Sequence, residues 1–282
     1  AALDRCFKAL DTRDPLPSHS FYTSVAGALH GLKQDIGQAG APQSRKLAGI
    51  GHAHIDIAYL WTVDQARQKA GRTFANALRL MARNPDYRFS QSQPQLYQFL
   101  EQDFPELNAA IDCHVAAEQW EVLSGMWVEA DVNLAGGESL VRQLLLGQSY
   151  AQQRFGDKHT KVLWLPDCFG YSWALPQLLK KADISWIVTS KLSWNQTNKM
   201  PHQLFWWQGM DGSKVLTTLL TTPREVAYLP YPACYKAELT AEEIHGTWRM
   251  WDQSADHDEL MIAYGYGDGG GGPTQALIDT AR

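Results

Sequence analysis

Several features are missing from this chain, and each absence argues against a class of function. No apolar run approaches the length that spans a bilayer, and no secretory leader is visible, so no membrane partner is expected. The four cysteines, Cys6, Cys113, Cys168 and Cys234, are scattered and form no Cys-x-x-Cys pair. That usage fits a reduced, cytoplasmic protein better than a disulfide-stapled secreted one. There is no basic stripe: acids and bases intersperse around a net charge of −5, which argues against a nucleic-acid partner. No internal repeat or low-complexity tract stands out. The chain also lacks an initiator methionine and stops at Arg282, a few residues into what reads as a fresh helix. It therefore reads as a piece of a longer protein.

What is present is enough for a sizeable core. Of 282 residues, 45% are hydrophobic, which supports one large domain or two small ones. Eleven tryptophans and eleven tyrosines exceed the usual need of a core and suit ring-stacking ligands such as sugars, or else a Trp-rich interior.

Taken in order, residues 1–45 hold a helix near Ser20–Leu32 and a Gly/Pro/Ser-rich linker from Gly37 to Ser44. A buried strand follows at Lys46–Ile50. Ala70, Phe74, Ala77, Leu78 and Met81 recur at helical spacing and predict a helix over Asp64–Arg83. Further strands are expected at Tyr87–Ser92, up to Leu123, at Lys161–Leu165, Ile184–Ser190 and Glu259–Tyr264, with a hairpin of Leu204–Gln208 and Lys214–Leu220. Helices are expected at Gln95–Gln102, Pro105–Ala117, Glu138–Phe155 (Val141, Leu144 and Leu145 inward) and Leu175–Ala182. Another runs from a Thr240/Glu243 capping box to Asp252. Strands alternating with helices imply an α/β fold with a mainly parallel sheet. The polar and aromatic clusters at 52–61, 127–131, 167–172, 190–195 and 266–272 each follow a strand, where parallel α/β folds place their sites.

The first cluster, GHAHIDIAYLW (Gly51–Trp61), is the most informative. Alternation in an extended chain puts His52, His54 and Asp56 on one side, a His/Asp mixture that borderline cations such as zinc accept. The competing reading is a set of surface polar groups. Asp167, after an apolar strand and a proline, is either a helix N-cap or a catalytic carboxylate; the next helix starts several residues later, which weakens the cap. Cys168 has no histidine pairing and nothing to depress its pKa, so it is not read as a nucleophile. The glycines of 265–272 lack the Lys-Ser/Thr of a phosphate loop; they either bring backbone close to a ligand while presenting Asp268, or form a flexible loop.

Together GHAHIDIAYLW, SGMWVEADVNLAGGESLVRQ, WLPDCFGYSWALPQLL, SKLSWN and YGYGDGGGGPT resemble, in order and spacing, the α-mannosidases of glycoside hydrolase family 38. The resemblance runs from about Lys46 to the end and is nearest the cytosolic and vacuolar-type branch. It implies a seven-stranded α/β barrel-like catalytic domain over 46–282, incomplete at its C-terminus, behind a helical and linker segment at 1–45. It also implies one zinc ion, with other divalent ions able to use the same ligands.

The family's His-x-Asp ligands fall on His54 and Asp56, and its metal-binding nucleophile falls on Asp167. The aromatic platform falls on Tyr59, where this branch usually has tryptophan, and on Phe169. Asp268 is the nearest match to the acid/base, although the Golgi branch has two adjacent acids where this chain has Asp268 and Gly269. A later family histidine ligand has no counterpart; His245 lies inside a helix and is read as structural or exposed.

The implied reaction is retaining hydrolysis of terminal α-mannosides in oligosaccharides, with a covalent intermediate on Asp167. Asp268 then needs a raised pKa and a less polar surround. His52 is read as supporting the metal or touching substrate, and Trp127, Glu129 and Asp131 as pocket residues. Homo-oligomerisation is left open. Two rivals are a metal-dependent polysaccharide deacetylase, against which PDCFGY, GDGGGG and the lack of a His-x3-His pair count, and a sugar-binding module without turnover.

Overall fold

The computed structural model describes residues 2–38 and 45–282. Packing divides the chain into two compact units, with the boundary in the sequence between Arg45 and Lys46. The first unit holds two helices, α1 (Ala2–Lys8) and α2 (His19–Gln38). The helix expected at Ser20–Leu32 is therefore longer at its C-terminal end, and α1 was not anticipated. Of the expected linker, Gly37 and Gln38 belong to α2, and residues 39–44 lie outside the described residues.

The second unit runs β1 (Lys46–Gly51), α3 (Val63–Arg83), β2 (Phe89–Gln91), α4 (Pro94–Asp103), α5 (Pro105–Ala116), β3 (Trp120–Leu123) and α6 (Gly137–Phe155). It continues with β4 (His159–Thr160), β5 (Val162–Trp164), α7 (Leu175–Lys181), β6 (Trp186–Thr189), β7 (Leu204–Gln208) and β8 (Lys214–Leu219). The short strands β9 (Thr222–Pro223) and β10 (Ala233–Cys234) precede α8 (Ala241–Arg249), β11 (Glu259–Tyr264) and α9 (Gln275–Ala281).

One sheet has the order β11-β1-β2-β3-β4, with every pair parallel. A second has the order β5-β6-β8-β7, parallel except for the β7–β8 hairpin, and β9 pairs with β10. The mainly parallel α/β architecture is thus present. The hydrogen-bonded ladders are divided between sheets, with Lys161 separating β4 from β5, rather than joined in one ring. No helix among the described residues is long and apolar enough to cross a membrane.

Local sequence explains the main elements. Thr62 caps α3 and Gln65 returns the bond to the Thr62 N–H, a capping box that starts the helix at Val63, one residue ahead of the expected start. The stripe Ala70, Phe74, Ala77, Leu78 and Met81 is buried as its spacing predicts, and Phe74 meets Trp120 edge-on at 5.1 Å. The inward face of α6 is Leu140, Leu144, Ala151 and Phe155; Leu145, expected inward, is 56% exposed, and Val141 is half-buried. The face is rotated because α6 packs through Gly147 against the Met126–Trp127 backbone, where a Cβ would lie 2.6 Å from the Met126 carbonyl carbon.

Candidate active site and metal centre

The carboxyl ends of the parallel strands carry the polar chemistry. His52, His54 and Asp56 follow β1, Ser92 and Gln93 follow β2, and Glu129 lies beyond β3. Asp167 follows β5, Lys191 follows β6, Asp268 lies beyond β11, and Tyr235 and Lys236 extend from β10. Alternating strand and helix deliver these residues to one end because each parallel strand points the same way.

His54 sits at the centre. Its Nε2 lies 3.0 Å from Asp56 Oδ1 and 3.6 Å from Asp167 Oδ2, while Nδ1 lies 2.9 Å from Glu129 Oε2. Burial alone would lower the pKa of this imidazole, but Glu129 and then Asp56 outweigh burial and hold it up to about 10. His52 is the opposite case. Burial pushes its pKa down to about 4, so it is neutral at physiological pH. Its Nδ1 is 2.8 Å from the Ser90 carbonyl, which can only accept, so Nδ1 carries the proton. Nε2 therefore accepts the Trp164 indole N–H at 3.1 Å, and both nitrogens are spent.

Two donor groups converge on His54, one of His54, Asp56 and Asp167 and one of His52, His54 and Glu129, each with ligand atoms within 4.8 Å of one another. In the second, His52 has both nitrogens committed to Ser90 and Trp164, which leaves the first. One imidazole nitrogen and two carboxylate oxygens fit a divalent cation of the zinc type. Asp167 has a second cation beside it: the buried Lys191 ammonium is 2.8 Å from Asp167 Oδ1. That ammonium lies over the Trp194 ring at 3.4 Å and the Phe169 ring at 4.5 Å.

Asp268 faces the same pocket from the glycine-rich loop. Tyr235 donates its hydroxyl to Oδ1 at 2.7 Å, and Lys236 Nζ lies 2.6 Å from Oδ2. Burial would raise the Asp268 pKa, but the Lys236 and Tyr235 bonds outweigh it and the net direction is downward. The less polar surround expected for Asp268 is therefore not found, because a cation and a phenol from beyond β10 reach it. The loop is ordered by pairing: Tyr266 bridges Gly272, Ile55 bridges Gly269, and the Asp268 carbonyl accepts the Asp56 N–H at 3.0 Å. A cavity of about 390 Å³ lies among Asp56, Asp167, Lys191, Tyr235, Lys236 and Asp268, with Tyr59 and Phe169 at its wall. An apolar cavity of about 370 Å³ elsewhere, among Trp186, Leu216, Trp251 and Met261, contains none of these groups.

Comparison with known proteins gives this site a family. Residues 44–282 match the family model described as the glycosyl hydrolases family 38 N-terminal domain. The chain belongs to glycosyl hydrolase family 38. It is similar to alpha-mannosidase G of Dictyostelium discoideum, 38% identical over 88% of this chain, and to human alpha-mannosidase 2C1, 37% identical over 99% of it. It spans only 22% and 26% of those proteins' own lengths. An alpha-mannosidase from Enterococcus faecalis V583 shares the fold, with a TM-score of 0.63 at 18% identity over 84% of this chain and 27% of that one.

Within this family 38 chain the candidate residues are not all brought together. His54, Asp56, Asp167 and Asp268 converge, and Tyr59 and Phe169, 67% and 70% exposed, stand at the pocket wall. His52 is turned away onto Ser90 and Trp164. Glu129 lies behind His54 rather than in the cavity. Trp127 is directed to Gln95 and to the Tyr150 ring, between α4 and α6. Asp131 is exposed and accepts the N–H groups of Asn133 and Leu134, the bonding of a turn. His245, read as structural or exposed, is exposed on α8. Sequence reasoning missed Lys191, Tyr235, Lys236 and the Ser92–Gln93 pair. Lys191 was within reach, since it directly follows an expected strand. Tyr235 and Lys236 follow a two-residue strand that leaves no periodic signal.

Proposed function

We propose that this chain carries the catalytic centre of a retaining α-mannosidase acting on terminal α-mannosides of oligosaccharides. The observation that carries the reading is that Asp167 and Asp268 line one cavity together with Tyr235, whose hydroxyl bonds Asp268. Two carboxylates facing one cavity can both reach one anomeric carbon, as a retaining pair about 5 Å apart requires. Asp167 attacks that carbon as the bond to the leaving oxygen breaks, and Asp268 delivers the proton to that oxygen. Asp268 then takes a proton from water, which displaces the Asp167 ester and releases mannose. The acid role requires sugar entry to break the Lys236 ion pair, which removes the largest of the influences that lower the Asp268 pKa. His54, Asp56 and Asp167 would hold a zinc ion, which would supply a positive charge for sugar hydroxyls. Tyr59 and Phe169 offer ring faces to the sugar. We read β11, β1, β2, β3, β4 with β5 (taken together as one), β6 and β8 as the seven staves of an open barrel around this end.

The test is hydrolysis of an aryl α-mannoside by the intact protein before and after chelation. Turnover lost on chelation and restored by zinc supports the proposal. A folded, zinc-loaded protein without turnover would overturn it, as would a fluorinated mannosyl label attached at any residue other than Asp167.

A further inference from the structure

Glu129 is a buried carboxylate with no substrate to meet, and its position asks for another role. Its side chain is 8% exposed and outside the cavity that holds Asp167 and Asp268. One oxygen, Oε1, accepts the Ser92 hydroxyl at 2.6 Å, and the other, Oε2, lies 2.9 Å from His54 Nδ1. Its backbone N–H donates to Gln93 Oε1 at 3.2 Å. The same Gln93 side chain donates from Nε2 to the carbonyl of Ile55 at 2.9 Å, and Ile55 stands between His54 and Asp56 in the chain. Ser92 and Gln93 are both 3% exposed, and Gln93 holds a left-handed backbone at φ 64°. A non-glycine residue in that region costs about 1–2 kcal/mol, so the surrounding bonds must hold it there. Two adjacent buried side chains therefore tie the Glu129 segment to the His-x-Asp segment.

We infer that Glu129, clamped by Ser92 and Gln93, is a positioning residue that fixes the ring and tautomer of His54 so that Nε2 is presented to the cation. The reasoning rests on the metal reading of the proposed function and adds to it. Without a cation both ring nitrogens face carboxylates and the imidazole holds both protons. A cation at Asp56 and Asp167 would take the place of the Nε2 proton, and the Glu129 carboxylate, which can only accept, keeps the remaining proton on Nδ1. Nε2 is the nitrogen that faces Asp56 and Asp167. The alternative, a cation behind His54 between His52 and Glu129, is closed because His52 spends both nitrogens on Ser90 and Trp164. Glu129 is thus the carboxylate behind the ligand, 2.9 Å from Nδ1, and not a ligand itself. Outer partners of this kind change metal affinity by about 10–100-fold when removed.

The test uses the intact protein, stripped of metal and titrated with zinc against a fluorescent chelator. Glu129→Ala should bind zinc about 10–100-fold more weakly, and Glu129→Gln, which keeps an acceptor oxygen, should lie nearer the wild type. Glu129→Ala binding within twofold of the wild type overturns the inference while leaving the metal reading intact. A wild type that takes no zinc overturns the metal reading and this one with it. A second measurement needs no Glu129 variant: long-range proton–nitrogen correlation of the zinc-loaded wild type, with His54 assigned by His54→Gln. The proton should reside on Nδ1 and the metal on Nε2, and the reverse assignment overturns the inference even if Glu129→Ala fails to fold.

Discussion

The loop that presents Asp268 depends on Gly270, and adding one methyl group there tests whether the loop is built as described. Gly270 has φ +72°, a conformation that costs an L-residue about 1–2 kcal/mol. It is also enclosed. A Cβ would lie 2.8 Å from Ile55 Cδ1, nearer still to Ile55 Cγ1, and 3.0 Å from Thr73 Oγ1. Ile55 is fully buried and Thr73 donates its hydroxyl to the Gly270 carbonyl, so neither neighbour is free to give way. Overpacking of this kind adds about 1–3 kcal/mol. Gly212, in the turn between β7 and β8, is the control: φ is +85°, but nothing lies within 4 Å of its Cβ position. Both alanines gain about 0.4–1 kcal/mol by stiffening the unfolded chain, so that term cancels in the comparison. Gly270→Ala should therefore be about 1–3 kcal/mol less stable than Gly212→Ala. Reversible denaturant unfolding of both variants, compared by midpoint and slope, reads the difference. Equal midpoints would refute the reasoning, since they would mean that Ile55 and Thr73 yield at no cost.

Other perturbations probe independent parts of the molecule. Thr62→Ala removes the acceptor of the α3 capping box and should cost about 1 kcal/mol in denaturant unfolding; an unchanged midpoint would show that the box contributes nothing. His159 has its pKa lowered by burial and by Lys161, and its Nδ1 lies 2.5 Å from the Ser124 hydroxyl. Its neutral form is favoured in the fold, so its contribution is present above the unfolded-state pKa of about 6.5 and is lost as pH falls below that value. The wild type should lose more stability than His159→Gln between about pH 7.5 and 5; parallel losses would contradict this. Native-state thiol labelling followed by mass spectrometry should modify exposed Cys113 rapidly, while buried Cys168 and Cys234, with thiol pKa values raised by burial, react only after unfolding. Cys234 labelled as fast as Cys113 would contradict its burial.

Much of the framework was legible because it is local. The apolar stripe of α3, the Thr240/Glu243 box of α8, the β7–β8 hairpin and the strand before each polar cluster are set by residues a few positions apart. The same locality placed His54, Asp56, Asp167 and Asp268 at strand ends, and parallel strands carry such ends to one side. Side-chain direction was less legible. Alternation placed His52 beside His54, but whether it faced a ligand depended on Trp164, 112 residues away. Trp127 and Asp131 follow a strand like the others, yet Trp127 is drawn between α4 and α6 and Asp131 is taken by its own turn. Leu145 turned outward because the close approach at Gly147 sets the rotation of α6.

The chain's own pattern thus determined a mainly parallel α/β fold, the strand ends that bear ligand-type residues, and the family that uses them. Tertiary structure alone decided the protonation and orientation of those residues. Glu129 stands behind His54, Lys191 beside Asp167, and Lys236 with Tyr235 on Asp268. The reason is physical: periodicity reports which face of an element is buried, whereas a pKa or a tautomer is set by the charge and donor within a few ångströms. In this molecule those neighbours come from other strands.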